Sequence, residues 1–381
     1  MRALVLANAG EPFPGSAFPS PLYRIPALAV APSGRILLAH DVRADWRDLP
    51  ADFDIALRIS DDEGLSWSEP KALRRHSPGH GFGDPSFLVD PATARILCWH
   101  VGSTGESYFS ARADGPGLEL WLSTSEDEGE TWVHEDLSHL RPEGVAGMFC
   151  ASGNGAVLAD GSLIQPFVAR IDDSNHAICA RSTDHGRTWT MGRPVGPDCD
   201  ESKVVGLPGD EGGAPRVLMH SRATPRRRQS LSSDGGRTFC APEPATALVD
   251  PACNGGLARI GGLLIASMCD DPVGRGRLSV RLSTDEGASW SGPILLDEGA
   301  SAYSVVVPLD DSRLVAAWEA DDYRAIAVGV IGLDELGVSF GPDGVPVVDP
   351  SAATLRPRRG APGFAKPPVV NPATDRPAGA S

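Results

Sequence analysis

Tyr23-Arg24-Ile25-Pro26, near the start of this 381-residue chain, and Gly299-Ala300-Ser301-Ala302-Tyr303-Ser304, near its end, hold the residue types best suited to chemistry. The second segment carries one of only four tyrosines in the chain. Between them lie Arg222, the pair Arg275 and Arg277, the acidic step Asp200-Glu201, and a loop with four aspartates, Asp45, Asp48, Asp52 and Asp54. A guanidinium is planar and meets a carboxylate with two parallel hydrogen bonds, which a lysine does not. A carboxyl group can pass a proton in either direction, and a phenol beside a base can act as a nucleophile.

Other chemistries find no support. The nine histidines form no HExxH and the seven cysteines no CxxC, so no metal site is expected. Asp127-Glu128-Gly129 has the start of a calcium loop but lacks its later ligands and its bidentate glutamate. Gly153-Asn154-Gly155 is not followed by a phosphate-loop lysine, and no GxSxG elbow occurs, so no cofactor is expected.

The elements that must position these residues announce themselves in an octapeptide, Ser-x-Asp-x-Gly-x-Ser/Thr-aromatic. It occurs five times, at Ser60 to Trp67, Ser125 to Trp132, Ser182 to Trp189, Ser232 to Phe239 and Ser283 to Trp290. Copies start 50 to 65 residues apart, the period of a repeated four-stranded sheet, which predicts a radial array of blades. Asp and Ser bond nearby backbone and Gly supplies positive φ, so each copy reads as a turn whose aromatic packs between sheets. Alternating segments such as Ile55 to Ile59 and Leu278 to Leu282 flank the turns as strands. The acidic repeats are therefore read as structural.

Composition narrows the rest. No 3.6-residue periodicity persists, so helix should be scarce. A formal charge of −16 argues against a nucleic-acid partner and requires a local basic site for any anionic substrate. The apolar run in Met1 to Asn8 is too short for a signal-peptide core, and no stretch could cross a membrane as a helix. That run reads as a first strand that closes the ring with the last blade. An odd number of cysteines without paired spacing fits reduced thiols and a cytoplasmic location, or a secreted one if a leader has been removed. From Pro350 to Ser381 the chain is rich in Pro, Ala, Arg and Gly and is expected to lack fixed structure.

With Tyr23-Arg24-Ile25-Pro26-Ala27-Leu28 and five turn repeats, the chain resembles the sialidase (neuraminidase) superfamily, of the bacterial and animal exo-sialidase type, over roughly residues 20 to 335. The resemblance implies an all-β, six-bladed β-propeller over residues 1–349, a single catalytic domain with its active site at one end of the axis. The turn repeats would lie at the blade periphery, with the sixth blade lacking one.

The same resemblance implies roles. Arg24, Arg222 and Arg275 would bind the substrate carboxylate, with Arg277 the rival for the third place. A carboxylate nucleophile would be repelled by that anion, so these enzymes use a tyrosine instead. Tyr303 matches it, and Glu201 matches the base that takes its proton. Asp48 is the candidate acid and base for the aglycone, with Asp52 next in line. Glu319 would pair with Arg24, Arg43 would lie near C4 of the sugar, and Asp84 beside the N-acyl group, although Asp84-Pro85 also suits an ordinary turn. Trp46 and Phe149 could wall an apolar pocket for the acyl methyl, with core packing the simpler account of Phe149. The expected substrates are sialylated oligosaccharides, glycoproteins or glycolipids. A trans-sialidase, an enzyme for a related nonulosonic acid and a silent glycan-binding propeller are the alternatives, and the last has no need of Tyr303 and Glu201 together.

Overall fold

The computed structural model describes residues 1–209 and 213–359. Six sheets stand as blades around a central axis, antiparallel throughout except that Gly153–Asn154 pairs parallel with the inner strand Gly81–Val89, and neighbouring inner strands touch around the ring. The first three begin with inner strands Leu22–Val30, Gly81–Val89 and Met148–Cys150. The other three begin with Ser202–Leu207, Gly256–Ile260 and Ser301–Pro308. Arg2–Asn8 pairs antiparallel with Ala325–Gly332 and supplies the outer strand of blade 6, closing the ring as the sequence predicts. Helix among the described residues is limited to single 3-10 turns at Ser138–Leu140, Asp334–Leu336 and Pro350–Ala352.

Each octapeptide joins the third and fourth strands of blades 1 to 5, and its bonds repeat. In the second copy Gly129 N donates to Ser125 Oγ at 2.8 Å, and Thr131 N and Ser125 Oγ donate to Asp127 Oδ1 at 2.9 and 2.8 Å. Donors converging on Asp127, Thr131 foremost, hold its carboxyl down at about 2. The glycine is required twice over: its φ is +89°, and a Cβ there would sit 2.5 Å from Leu37 of blade 1. A Cβ at Gly186 or Gly236 would likewise sit 2.7 Å from Leu97 or 2.2 Å from Ile164 of the preceding blade. The repeats therefore fasten one blade to the next.

Between blades lie separate apolar layers. Trp99 meets Trp189 and Phe167 edge-to-face at 5.1 Å in the layer joining blades 2 and 3. Full burial of a large apolar side chain contributes about 1.5–3 kcal/mol, so six such layers dominate the favourable side of folding.

The first ten residues of the Pro-rich stretch from Pro350 take a defined course, unlike the expectation for 350–381 as a whole. Leu355 packs on the core between blades 5 and 6, and Arg358 bonds Asp297 at 3.0 Å and also Asp321. Two anchors are enough to fix a short segment that composition alone reads as unstructured. Residues 360–381 lie outside the described residues.

Candidate active site

Inner strands all start at one end of the axis, and the loops after each second strand return to that same end. Arg24, Asp84 and Tyr303 lie on inner strands, and Glu201 and Asn254 sit just before them. Arg43 and Glu319 lie on second strands, and Asp48, Arg222, Arg275 and Tyr323 lie in the loops that follow them. The turn repeats follow third strands, which run away from this end, and so stand clear of it.

Three inner strands are irregular where they reach the site. Their registers slip between Arg24 and Ala27, between Gly83 and Ser86, and between Ser301 and Ser304. Ile25 and Asp84, each followed by proline, take φ of +60° and +57° there, and Tyr323 takes +64° in its turn. A positive φ is unusual for any side-chain-bearing residue and most of all for β-branched Ile25, and bulges re-aim the adjoining side chains.

Arg24, Arg222 and Arg275 converge on Tyr303, their guanidinium carbons lying 5.5, 5.9 and 5.5 Å from its ring centre. Glu319, fully buried, orients the first: Arg24 Nε donates to its Oε1 at 2.7 Å and Nη2 to its Oε2 at 3.4 Å. The same carboxylate accepts the backbone N–H of Ile25 at 2.9 Å and of Tyr303 at 3.3 Å, tying blade 1 to blade 6. Arg275 donates to Tyr323 Oη at 2.8 Å and to Ala252 O at 2.7 Å. Arg277, its sequence rival, is exposed on the same loop.

The phenol of Tyr303 donates to Glu201 Oε2 at 2.8 Å and accepts from Arg222 Nη1 at 2.9 Å, while Arg222 also pairs with that carboxylate. Burial pushes the phenol well above its ordinary value, Glu201 adds to the rise, and the three arginines oppose it, Arg222 most. A neutral phenol thus stands between the Glu201 carboxyl and a cation that favours the phenolate.

Opposite lies a second charged group. Buried Arg43 is held by Asp41 through Nε at 2.9 Å and Nη2 at 2.7 Å, and its Nη1 donates to Asp48 Oδ1 at 2.8 Å. Asp84 Oδ1 lies 3.9 Å from Arg43, and its backbone N–H donates to Asp41 Oδ1 at 2.9 Å. Burial raises both acids, Asp41 to about 6, with Arg43 resisting, and Asp84 further because the Asp41 charge adds to burial. The loop aspartates separate cleanly. Asp48 is 80% exposed at the mouth of the site, whereas Asp52 caps the turn at Gly79. Asp45 binds Arg47, and Asp54 is buried against His76 and Arg75.

Trp46 meets Tyr323 edge-to-face at 5.3 Å and lies 5.9 Å from the Arg24 guanidinium, on the arginine side of the site. Phe149 packs on Tyr108 at 5.0 Å beside Leu49, Phe53 and Val101, as a core residue does. Asp41, Tyr323, Lys203 and Asn254 were not singled out by sequence. The short spacing from Asp41 to Arg43 was the one available signal, because residues two apart on a strand share a face. A further cavity of about 440 Å³ opens along the inner strands near Leu28, Phe87, Val205 and Leu257. Its polar side chains are Asn154 and Arg259, and it holds none of the candidate groups.

Residues 34–315 match the family described as BNR repeat-like domain. A sialidase of Micromonospora viridifaciens is 33% identical over 327 residues, covering 78% of this chain and 50% of that protein. The chain belongs to the sialidase superfamily. A superfamily member from Bacteroides fragilis, also a sialidase, is 27% identical over 79% of this chain and 60% of its own length. Thus the chain spans about half of the curated relatives it matches. Among solved structures, a Hadza microbial sialidase superposes with a TM-score of 0.73 at 26% identity, covering 82% of this chain and 66% of the other. The superfamily propeller of Ruminococcus gnavus, an intramolecular trans-sialidase, shares the fold at a TM-score of 0.73 and 17% identity, over 88% of this chain and 99% of its own.

Proposed function

We propose that the protein is a retaining exo-α-sialidase that releases terminal sialic acids from oligosaccharides, glycoproteins or glycolipids through a covalent tyrosyl intermediate. The observation that carries this reading is the Tyr303 hydroxyl donating to Glu201 at 2.8 Å amid three guanidinium groups. Arg24, Arg222 and Arg275 bind the substrate carboxylate, each hydrogen bond to a charged group contributing roughly 1.5–3 kcal/mol. They overcome, locally, the repulsion of a chain with formal charge −16.

Tyr303 Oη attacks the anomeric carbon as its proton passes to Glu201, and the neutral resting phenol avoids repulsion with the bound carboxylate. Asp48, as general acid, gives a proton to the departing oxygen as the glycosidic bond breaks. In the second half it takes a proton from water, which displaces Tyr303 while Glu201 returns the phenol proton. Asp48 is favoured over Asp52 by its contact with Arg43, since Asp52 is engaged by Gly79. Arg43 and Asp84 meet the C4 and N-acyl side of the sugar.

The test is time-resolved NMR on a sialyllactose. Release of the α-anomer of free sialic acid first, followed by mutarotation, is the expected result. Release of the β-anomer, an anhydro or transferred product, or no cleavage overturns the reading of a retaining hydrolase.

A further inference from the structure

Lys203 takes no part in the steps above, yet its ammonium lies beneath the site at only 1% exposure. Its stem passes Gly153, where a Cβ would stand 3.2 Å from Lys203 Cε and where φ is +112°. That accounts for a glycine motif that no phosphate explains. The ammonium donates to Ser152 O and, at 2.8 Å, to Asn254 Oδ1.

An ammonium has three N–H donors and no lone pair, so only the oxygen of an amide can face it. The Asn254 nitrogen is thereby turned the other way, where it donates to Ser152 Oγ at 2.9 Å and to Glu201 Oε1 at 3.4 Å. Glu201 is left with Oε2 directed at Tyr303, at 2.8 Å. We propose that Lys203 is a positioning residue for the nucleophile and its base: by fixing the Asn254 amide, it fixes which oxygen of Glu201 receives the Tyr303 proton. The inference rests on the roles proposed for Tyr303 and Glu201.

The surroundings give this device a pH signature. Burial lowers Lys203 from its ordinary value to about 7, Glu201 resists, and Arg227 from the third strand of the same blade adds to the fall. Arg227 is itself countered by Asp250 at 3.7 Å. His220, opposite Lys203 on the neighbouring strand, is pulled by burial to about 3 and stays neutral. Cys150, from blade 3, is held as a thiol by burial. Once Lys203 loses its proton it gains a lone pair, the amide is free to turn, and Glu201 loses a donor. Turnover should therefore decline as pH rises through about 7.

The experiment measures kcat and KM on an aryl α-sialoside across that range for the wild type, Lys203→Met, Asn254→Ser and the double variant, with binding of 2,3-unsaturated sialic acid as a check on the arginine site. Lys203→Met should lower kcat by about tenfold or more while KM stays within about threefold, and should lose the decline near pH 7. Asn254→Ser should give a similar fall, and the double variant should be no worse than Asn254→Ser alone. Wild-type kcat in Lys203→Met, multiplied losses in the double variant, or equal loss of analogue binding would overturn the proposal. Lys203→Met takes the ammonium donor from Ser152 O and Asn254 Oδ1 and so costs stability; should it not fold, unchanged kcat in Asn254→Ser overturns the proposal alone. An inactive wild type would sink the sialidase reading itself, whereas active wild type with unaffected variants sinks only the role of Lys203.

Discussion

Tyr303 donates its phenol proton to Glu201 at 2.8 Å although 102 residues separate them in the chain. The pair joins the inner edges of blades 6 and 4 across the axis, so its geometry depends on ring closure. Tyr303→Phe keeps the ring beneath the three arginines but removes the oxygen proposed as nucleophile. Turnover of an aryl sialoside should fall by about a thousandfold or more with the circular dichroism spectrum unchanged. Wild-type turnover in that variant contradicts the assignment.

Arg275 and Arg277 share one loop but not one environment. Arg275→Ala should raise KM about tenfold to a hundredfold, the worth of one or two charge-assisted hydrogen bonds. Arg277 is exposed, and Arg277→Ala should stay within about threefold of the wild type. Steady-state kinetics on both variants decide the matter, and the reverse ranking exchanges their roles.

Arg358 joins Asp297, fully buried and bonded to Trp318 at 2.9 Å, to Asp321 at the start of the turn that carries Tyr323. Arg358→Ala leaves the Asp297 carboxylate without that partner and should cost about 3 kcal/mol by urea unfolding. Because Tyr323 accepts from Arg275, KM should also rise a fewfold; a stable variant with unaltered KM would detach this segment from the site.

Gly129 and Gly34 have the same φ, +89°, but only at Gly129 would an added Cβ meet a neighbour, Leu37 at 2.5 Å. Gly34→Ala should cost about 1 kcal/mol from backbone strain alone, and Gly129→Ala about 1–3 kcal/mol more from overpacking. Equal midpoints in chemical denaturation would show that the repeats do not clamp neighbouring blades.

Buried His40 and His220 are pulled by desolvation to about 4 and about 3. Below an ordinary histidine value near 6.5 the unfolded chain binds protons that these two folded histidines refuse, so their contribution to stability falls as pH drops from about 6.5 towards 4. Asp41, raised to about 6, works in the opposite direction as a single group. His220→Leu should flatten the slope of unfolding free energy over that window, and an unchanged slope would exclude this source.

Short-range patterns were legible in the chain itself. A turn that repeats its own hydrogen bonds, Asp127 to Thr131 or Asp285 to Ser289, is written in eight consecutive residues, and five of them imply blades. Arg24, Arg222, Tyr303, Glu201 and Glu319 could be picked out because each stands in a distinctive local segment, and the structure brings all five together. What the sequence left open was decided by long-range geometry. Asp48 and Asp52 are four residues apart in one loop, and only the positions of Arg43 and Gly79 distinguish them. Arg275 and Arg277 differ by which one reaches Tyr323. Lys203 looked like one strand residue among others until Asn254 and Ser152, from blades 5 and 3, enclosed it. Local hydrogen bonding specifies turns and strands, but the burial that sets a charge, and the partner it faces, exist only when six separate blades close on one axis.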